Sequence, residues 1–369
     1  MAEAVKESAS AQSDTLLEVD DVVKHFPVRG GALIQRTVAQ VRAVDGVSLS
    51  LKRGETLGLV GESGCGKSTL ARLVTALFPV TSGHIKFKGQ ELTTLSRREM
   101  RPLRRSIQIV FQDPYGSLNP RRRVGSILGD PHAVHSKLSR EDMRKQVQDL
   151  MSRVGLSPEH YNRFPAEFSG GQRQRIGIAR ALALHPDLIV CDEPVSALDV
   201  SIQAQIINLL EDLQDEFKLT YIFIAHDLSV VRHVSDRIAV MYLGKLVETG
   251  PVEEIYSRSR HPYTASLLSA VPVAARAFGG ARRERVLLTG DVPTPIAPPS
   301  GCRFHPRCPK AQDRCSVEEP QLEQKDGDEP GHLTACHFPV VEGDALARAS
   351  REIPVSAAPV VLPNQGGSS

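Results

Sequence analysis

The stretch TLGLVGESGCGKST, residues 56 to 69, constrains this chain more than any other. TLGLV has the length and composition of a buried strand. GESGCGKST, from Gly61 to Thr69, follows at once with the spacing G-x-x-x-x-G-K-[ST]. Gly64 and Gly66 let such a loop curl until its backbone amides converge on phosphate oxygens, and the helix start adds favourable dipole charge. Gly61, Ser63, Cys65 and Thr69 complete the expected cradle. Lys67 is placed to meet β and γ phosphates, and Ser68 offers a hydroxyl to Mg²⁺, a hard ion that prefers oxygen. Strand, anion loop and helix in this order predict a parallel sheet, and the apolar runs IQIVF, LIVCD and YIFIA supply further strands between helical stretches.

Around that core the chain divides by pattern. Leu16–Val23 and Val44–Leu51 alternate as short strands, giving an antiparallel start, with a Gly-rich, insert-like connection between them over 28–41. The segment 124–156 is polar, charged and helical in period, and predicts a helical subdomain over about 113–183. Ile238–Glu248 reads as a hairpin turning at Gly244. Residues 15–258 are thus expected to form one phosphate-loop domain, followed by an extension over 259–288. The Pro- and Gly-dense TGDVPTPIAPPSG, residues 289–301, reads as a linker into a small cysteine-bearing tail domain over 302–340. Residues 1–14 and 341–369 are expected to be disordered.

Composition excludes more than it assigns. A chain of 369 residues with 41% hydrophobic content can bury a full core. Its net charge of +2 gives little reason to expect a polyanion partner, and the arginine runs at 97–105 and 121–123 lack interleaved aromatics for stacking bases. No nucleic-acid partner is expected. The N-terminus lacks the layout of a secretory signal, and no apolar run approaches the roughly 18 to 20 residues that cross a bilayer.

LIVCDEP, residues 188–194, ends a buried strand in two carboxylates, which puts Asp192 near the magnesium and Glu193 toward the γ-phosphate as a general base for water. FSGGQRQRIGIARAL, residues 168–182, then resembles the signature segment of ABC-transporter ATPases. The resemblance implies an ABC-type α/β fold and an ATPase. It makes Gln112 in VFQDP the Q-loop residue, a second side chain near the magnesium. Asp199 in SALDV becomes the D-loop aspartate and His226 in IAHDL the switch histidine. Phe26 in KHFPV stands where an adenine-stacking tyrosine is usual, and Phe168 where leucine is usual. In this family the nucleotide lies between two cassettes, so Ser169, Gly170, Gly171 and Gln172 would act on the nucleotide of a second ABC ATPase subunit.

VFQDPYGSLNPRRRV and the later RHPYTASLLSAVP are similar to cassettes of oligopeptide and dipeptide importers. That branch implies two multi-spanning permeases, an extracytoplasmic solute-binding protein, and a peripheral place on the cytoplasmic membrane face. Nickel or another small solute is the alternative cargo. A soluble ABC protein acting on nucleic acid is the other alternative. It is disfavoured by the single cassette and by only about a hundred residues between phosphate loop and signature.

Six cysteines remain to be placed. Cys65 sits in the phosphate loop, where a helix N-terminus lowers a thiol pKa while bound nucleotide phosphates would oppose this, and Cys191 sits inside a buried strand. Cys302, Cys308, Cys315 and Cys336 cluster after the linker. Without a C-x-x-C knuckle, their spacing leaves zinc, an iron–sulfur cluster and free thiols open. Similar tails in the peptide-importer branch imply a [4Fe-4S] cluster.

Overall fold

All five residues of TLGLV and of LIVCD are buried, as strands covered on both faces must be. In the computed structural model, which describes residues 14–30, 36–136, 138–270, 286, 288, 290–344 and 346, two sheets organise the chain. The first is antiparallel, in the order β2-β1-β4-β5, from β1 (Thr15–Gly30), β2 (Arg36–Lys52), β4 (Ser82–Phe87) and β5 (Gln90–Glu91). The second has five parallel strands in the order β6-β7-β8-β3-β9: β3 (Thr56–Val60), β6 (Ile107–Val110), β7 (Leu188–Asp192), β8 (Thr220–Ile224) and β9 (Arg237–Tyr242). Antiparallel β10 (Lys245–Pro251) and β11 (Leu333–Thr334) extend it beyond β9.

Helices α1 (Lys67–Val74) and α2 (Arg97–Leu103) lie on the side of the antiparallel sheet. Helices α3 (Val124–His135), α4 (Arg140–Arg153) and α5 (Gly170–Leu182) form the helical region. In α4 the charged sequence hides a core stripe. Ser139 caps its N-terminus by accepting from the Asp142 amide, and Val147, Leu150 and Met151 are its buried residues, at i, i+3 and i+4. Helices α6 (Val200–Phe217), α7 (Leu228–Val234), α8 (Val252–Arg258), α9 (Pro262–Ser269) and α10 (Asp313–Val317) complete the described set. Two apolar clusters sandwich the main sheet. Successive residues of β7 serve opposite ones, Ile189 and Cys191 on one side and Leu188 and Val190 on the other. Cys191 is therefore a core residue, its thiol pushed far up by burial.

Two expectations change. The connection read over 28–41 is mostly strand: β1 and β2 pair along their length, with Pro27 opposite Gln40 and Val28 opposite Ala39. Burial alternates between exposed and half-buried along these arms, but the residue types do not follow it: Pro27 and Gly30 fall in one arm and apolar Val38 is 67% exposed in the other. The second change concerns the cysteine-bearing segment, which does not stand apart beyond a linker. β11 hydrogen-bonds to β10 in the main sheet, and Phe304 and Cys308 belong to the cassette's own core cluster. Buried Glu248 of β10 joins three parts of the chain. It accepts from the backbone amides of Arg260 and His261, at 2.6 and 3.0 Å, and pairs with buried His332 at 2.8 Å. The expected disorder of 1–14 and 341–369 falls almost wholly outside the described residues, as does 271–285 of the expected extension.

Candidate functional site

The parallel strands β6, β7, β8 and β3 lie side by side, and at or just past each C-terminal end stands one chemistry-bearing group: Gln112, Asp192 with Glu193, His226, and the phosphate loop. This is where open α/β sheets bind ligands. A cavity of about 360 Å³ opens there, lined by Ser63, Gly64, Gly66, Lys67, Ser68, Thr69, Gln112 and Glu193 from this row and by Phe26, Val41, Ala43 and Pro295 opposite.

The loop's glycines are required by space as well as by conformation. Gly61 has φ 151° and Gly66 φ 112°. A Cβ on either would sit 2.1 Å from a backbone oxygen, that of Met241 or of Ala43. Lys67 is buried and folded back on the loop, its Nζ donating to the carbonyls of Gly61 at 2.7 Å and Glu62 at 3.0 Å. Ser68 Oγ donates to Asp192 Oδ1 at 2.8 Å. Burial raises the Asp192 carboxyl above its ordinary range, against the lowering effects of that hydrogen bond and of Arg72 and Lys67. Ser68 and Gln112 line the cavity and the Asp192 carboxylate lies behind Ser68, so hydroxyl, carboxylate and amide oxygens of the kind Mg²⁺ favours come from neighbouring residues.

Glu193 holds the centre. Gln112 Nε2 donates to its Oε2 at 2.8 Å, and His226 Nδ1 lies 3.6 Å from the same oxygen. Phe26 reaches the cavity with its ring edge against Phe78 at 5.8 Å between centroids, whereas neighbouring His25 turns away to Asp45 at 2.8 Å. For Cys65 burial outweighs the activating effects: the thiol is only 4% exposed, and burial raises its pKa despite the Lys67 charge.

Ser169 caps α5 through a reciprocal pair with Gln172, Ser169 Oγ accepting from the Gln172 amide and Gln172 Oε1 from the Ser169 amide. Gly170 and Gly171 follow at the helix start, and a Cβ on Gly171 would meet Ile202 at 2.6 Å. None of these four residues lines the phosphate-loop cavity. Asp199, at the start of α6, is exposed, and so is Val200 beside it, at 81%. Phe168 is buried with its ring edge against His160.

The family described as ABC transporter matches residues 44–196, and the one described as oligopeptide/dipeptide transporter, C-terminal region, matches residues 247–315. Over 330 residues the chain is 55% identical to the oligopeptide transport ATP-binding protein AppF of Bacillus subtilis (strain 168), covering 89% of this chain and 99% of that one. The chain belongs to the ABC transporter ATPases. It is also 51% identical over 325 residues to the dipeptide transport ATP-binding protein DppF of Haemophilus influenzae, with 88% and 97% coverage. The ABC ATPase fold is shared with the dimeric, post-hydrolysis cassette MJ0796 bound to ADP and Pi. That structure matches with a TM-score of 0.57 and 29% identity over 64% of this chain and 99% of that one. Among the described residues, no helix of this ABC ATPase is long and apolar enough to cross a membrane.

Its four clustered cysteines line one small cavity of about 10 Å³, beside His261 and Phe304. Burial, reinforced by the neighbouring thiols, pushes Cys308 and Cys336 up to about 12 and raises Cys302 as well. His261 is fully buried, which lowers it to about 3 and keeps it neutral. Its Nδ1 accepts from the Tyr263 amide, so the proton sits on Nε2, which has no partner. Among the described residues no group of three or more His, Cys, Asp or Glu side chains is set to hold a metal ion. Sequence reasoning missed Val41 and Ala43, which line the cavity from β2, and three residues from elsewhere in the chain: Glu62, Arg307 and Pro295. Glu62 occupies a free position of the loop pattern, and Pro295 and Arg307 fall in segments read as linker and tail, so spacing gave no signal.

Proposed function

We propose that this ABC ATPase powers import of oligopeptides or dipeptides through two partner permeases, on the cytoplasmic face of a membrane, with solute delivered by an extracytoplasmic binding protein. The observation that carries the reading is the row of strand-end groups over one cavity, joined to a C-terminal region matching that of oligopeptide and dipeptide transporters. Lys67 would leave its two loop carbonyls for the β and γ phosphates, with loop amides around them and Phe26 against the adenine. Ser68, Asp192 and Gln112 would hold Mg²⁺, which supplies charge neutralisation at the phosphates. Glu193 would take the proton of the attacking water, with Gln112 and His226 orienting it.

The α5 N-terminus lies outside its own chain's cavity, and Ser169 and Asp199 are exposed, which supports a site completed by the signature of a second cassette. Reconstitution tests the transport reading. Purified complex in vesicles should show ATP hydrolysis stimulated by peptide-loaded binding protein. Stimulation by nickel-loaded protein alone would move the cargo to the alternative.

We infer further that Cys302, Cys308, Cys315 and Cys336 hold a [4Fe-4S] cluster. Support comes from four buried or half-buried thiols around one cavity, together with the unpartnered Nε2–H of His261 in the same wall, a donor suited to sulfur. The cavity would have to widen to accept it. Iron and acid-labile sulfide analysis of anaerobically purified protein decides: about four of each per chain is expected, and zinc without sulfide, or no metal, refutes the cluster.

A further inference from the structure

Glu62 has each of its polar groups held, and two of the holds come from far along the chain. Arg307 grips its carboxylate with both terminal nitrogens, Nη1 to Oε2 at 2.8 Å and Nη2 to Oε1 at 3.1 Å. The Tyr263 hydroxyl accepts from its backbone N–H at 2.8 Å. Its carbonyl accepts from Lys67 Nζ at 3.0 Å. Arg307 is 8% exposed and Tyr263 fully buried. Both are seated by packing: Tyr242, Tyr263 and Phe304 meet with ring centroids 4.7 to 5.4 Å apart, and Arg307 also donates to the Tyr242 hydroxyl at 3.4 Å.

The loop needs such a brace. Gly61, Gly64 and Gly66 all have positive φ, so left alone this segment samples many conformers and binding must bear the cost of ordering it. A bidentate guanidinium–carboxylate pair is the most directional tie available to a single side chain. Neither Arg307 nor Tyr263 lines the nucleotide cavity, so both act through Glu62.

We propose that the C-terminal segment preorganises the phosphate loop, with Arg307 and Tyr263 as positioning residues that set nucleotide affinity through Glu62. This gives the segment a role in the ATPase reaction that depends neither on which solute is carried nor on what the four thiols hold.

The test is titration of full-length protein with a fluorescent ATP analogue, with hydrolysis measured in the assembled complex. Arg307→Ala should weaken affinity on the order of tenfold, the usual size of coupling between linked sites. KM should rise to match, with kcat at saturating ATP close to the parent value. Arg307→Lys should recover part of the loss. Tyr263→Phe removes only an oxygen, so it keeps the aromatic packing and still carries the test if Arg307→Ala fails to fold. It should weaken binding in the same direction and speed amide exchange over residues 61–66. Parental affinity in folded Arg307→Ala or in Tyr263→Phe overturns the proposal, as does a fall in kcat at unchanged KM.

Discussion

Glu193 is a glutamate with φ 48°, a left-handed conformation that a side chain beyond glycine adopts at a cost of about 1 to 3 kcal/mol. Its amide donates to the Ile224 carbonyl at 3.0 Å, so strand β8 enforces the bend that turns its carboxylate toward Gln112 and His226. Glu193→Gln keeps the shape and removes the base. ATP should still bind while hydrolysis slows by about 10² to 10⁴, and the ATP-bound dimer should accumulate on size exclusion. Near-normal turnover by the purified mutant complex would remove Glu193 from the base role. Lys67 presents a different case, because it starts folded onto two carbonyls and must swing out. Lys67→Ala takes away the cation aimed at the phosphates and should abolish productive ATP-analogue binding; retained affinity would contradict its role. Both residues were legible because their chemistry sits at set spacings beside an apolar strand. Glu62 was not, since nothing local reveals that Arg307, 245 positions on, lies against it.

At the scale of elements, α5 carries the clearest prediction. Its start offers a hydroxyl, glycine amides and a helix dipole to something outside its own chain's cavity. Ser169→Arg should therefore leave ATP binding intact and block ATP-dependent dimer closure. Wild-type dimerisation by cross-linking would show that the signature does not act across an interface. The parallel strands could be read from their apolar runs, because burial on both faces leaves a continuous pattern. The outer arms of β1 and β2 could not, because Pro27 and Gly30 interrupt one and apolar Val38 stands exposed in the other, so residue type does not follow the alternating burial. β11 was invisible for another reason: two residues are too few to carry a period, and what places them is pairing with β10 at Glu248 and Thr249. His332→Ala leaves Glu248 buried and short of one partner, so it should cost about 2 kcal/mol, read as a lower denaturant midpoint. An unchanged midpoint would show that the two backbone amides satisfy Glu248 alone.

Across the whole molecule, the C-terminal segment is a wall of the ATPase. Pro295 lines the nucleotide cavity and its carbonyl accepts from the Arg42 amide, Arg303 pairs with Asp45, and Arg307 ties to the phosphate loop. Read as a tail beyond a linker, this region looked separable, because Pro and Gly content reports local stiffness and says nothing about what the chain packs on. Cys308→Ser should disturb the tight turn that carries Arg307. We expect increased proteolysis after about residue 290, together with weaker nucleotide binding; full protease resistance would mean the thiols do not maintain this wall.

The pairing of β11 with β10 also has a consequence in time. About eighty residues separate the two strands in the chain, so at the usual 5 to 20 residues per second β10 leaves the ribosome roughly 4 to 16 seconds before its last neighbour is made. Until then one side of β10 presents unpaired amides and carbonyls, and Glu248 lacks His332. An open sheet edge is a template for any other extended chain. Synthesis of residues 332–334 covers Glu248 and Thr249 and brings His332 to Glu248, so the last of the described strands to be made shields this stretch of the edge from strangers.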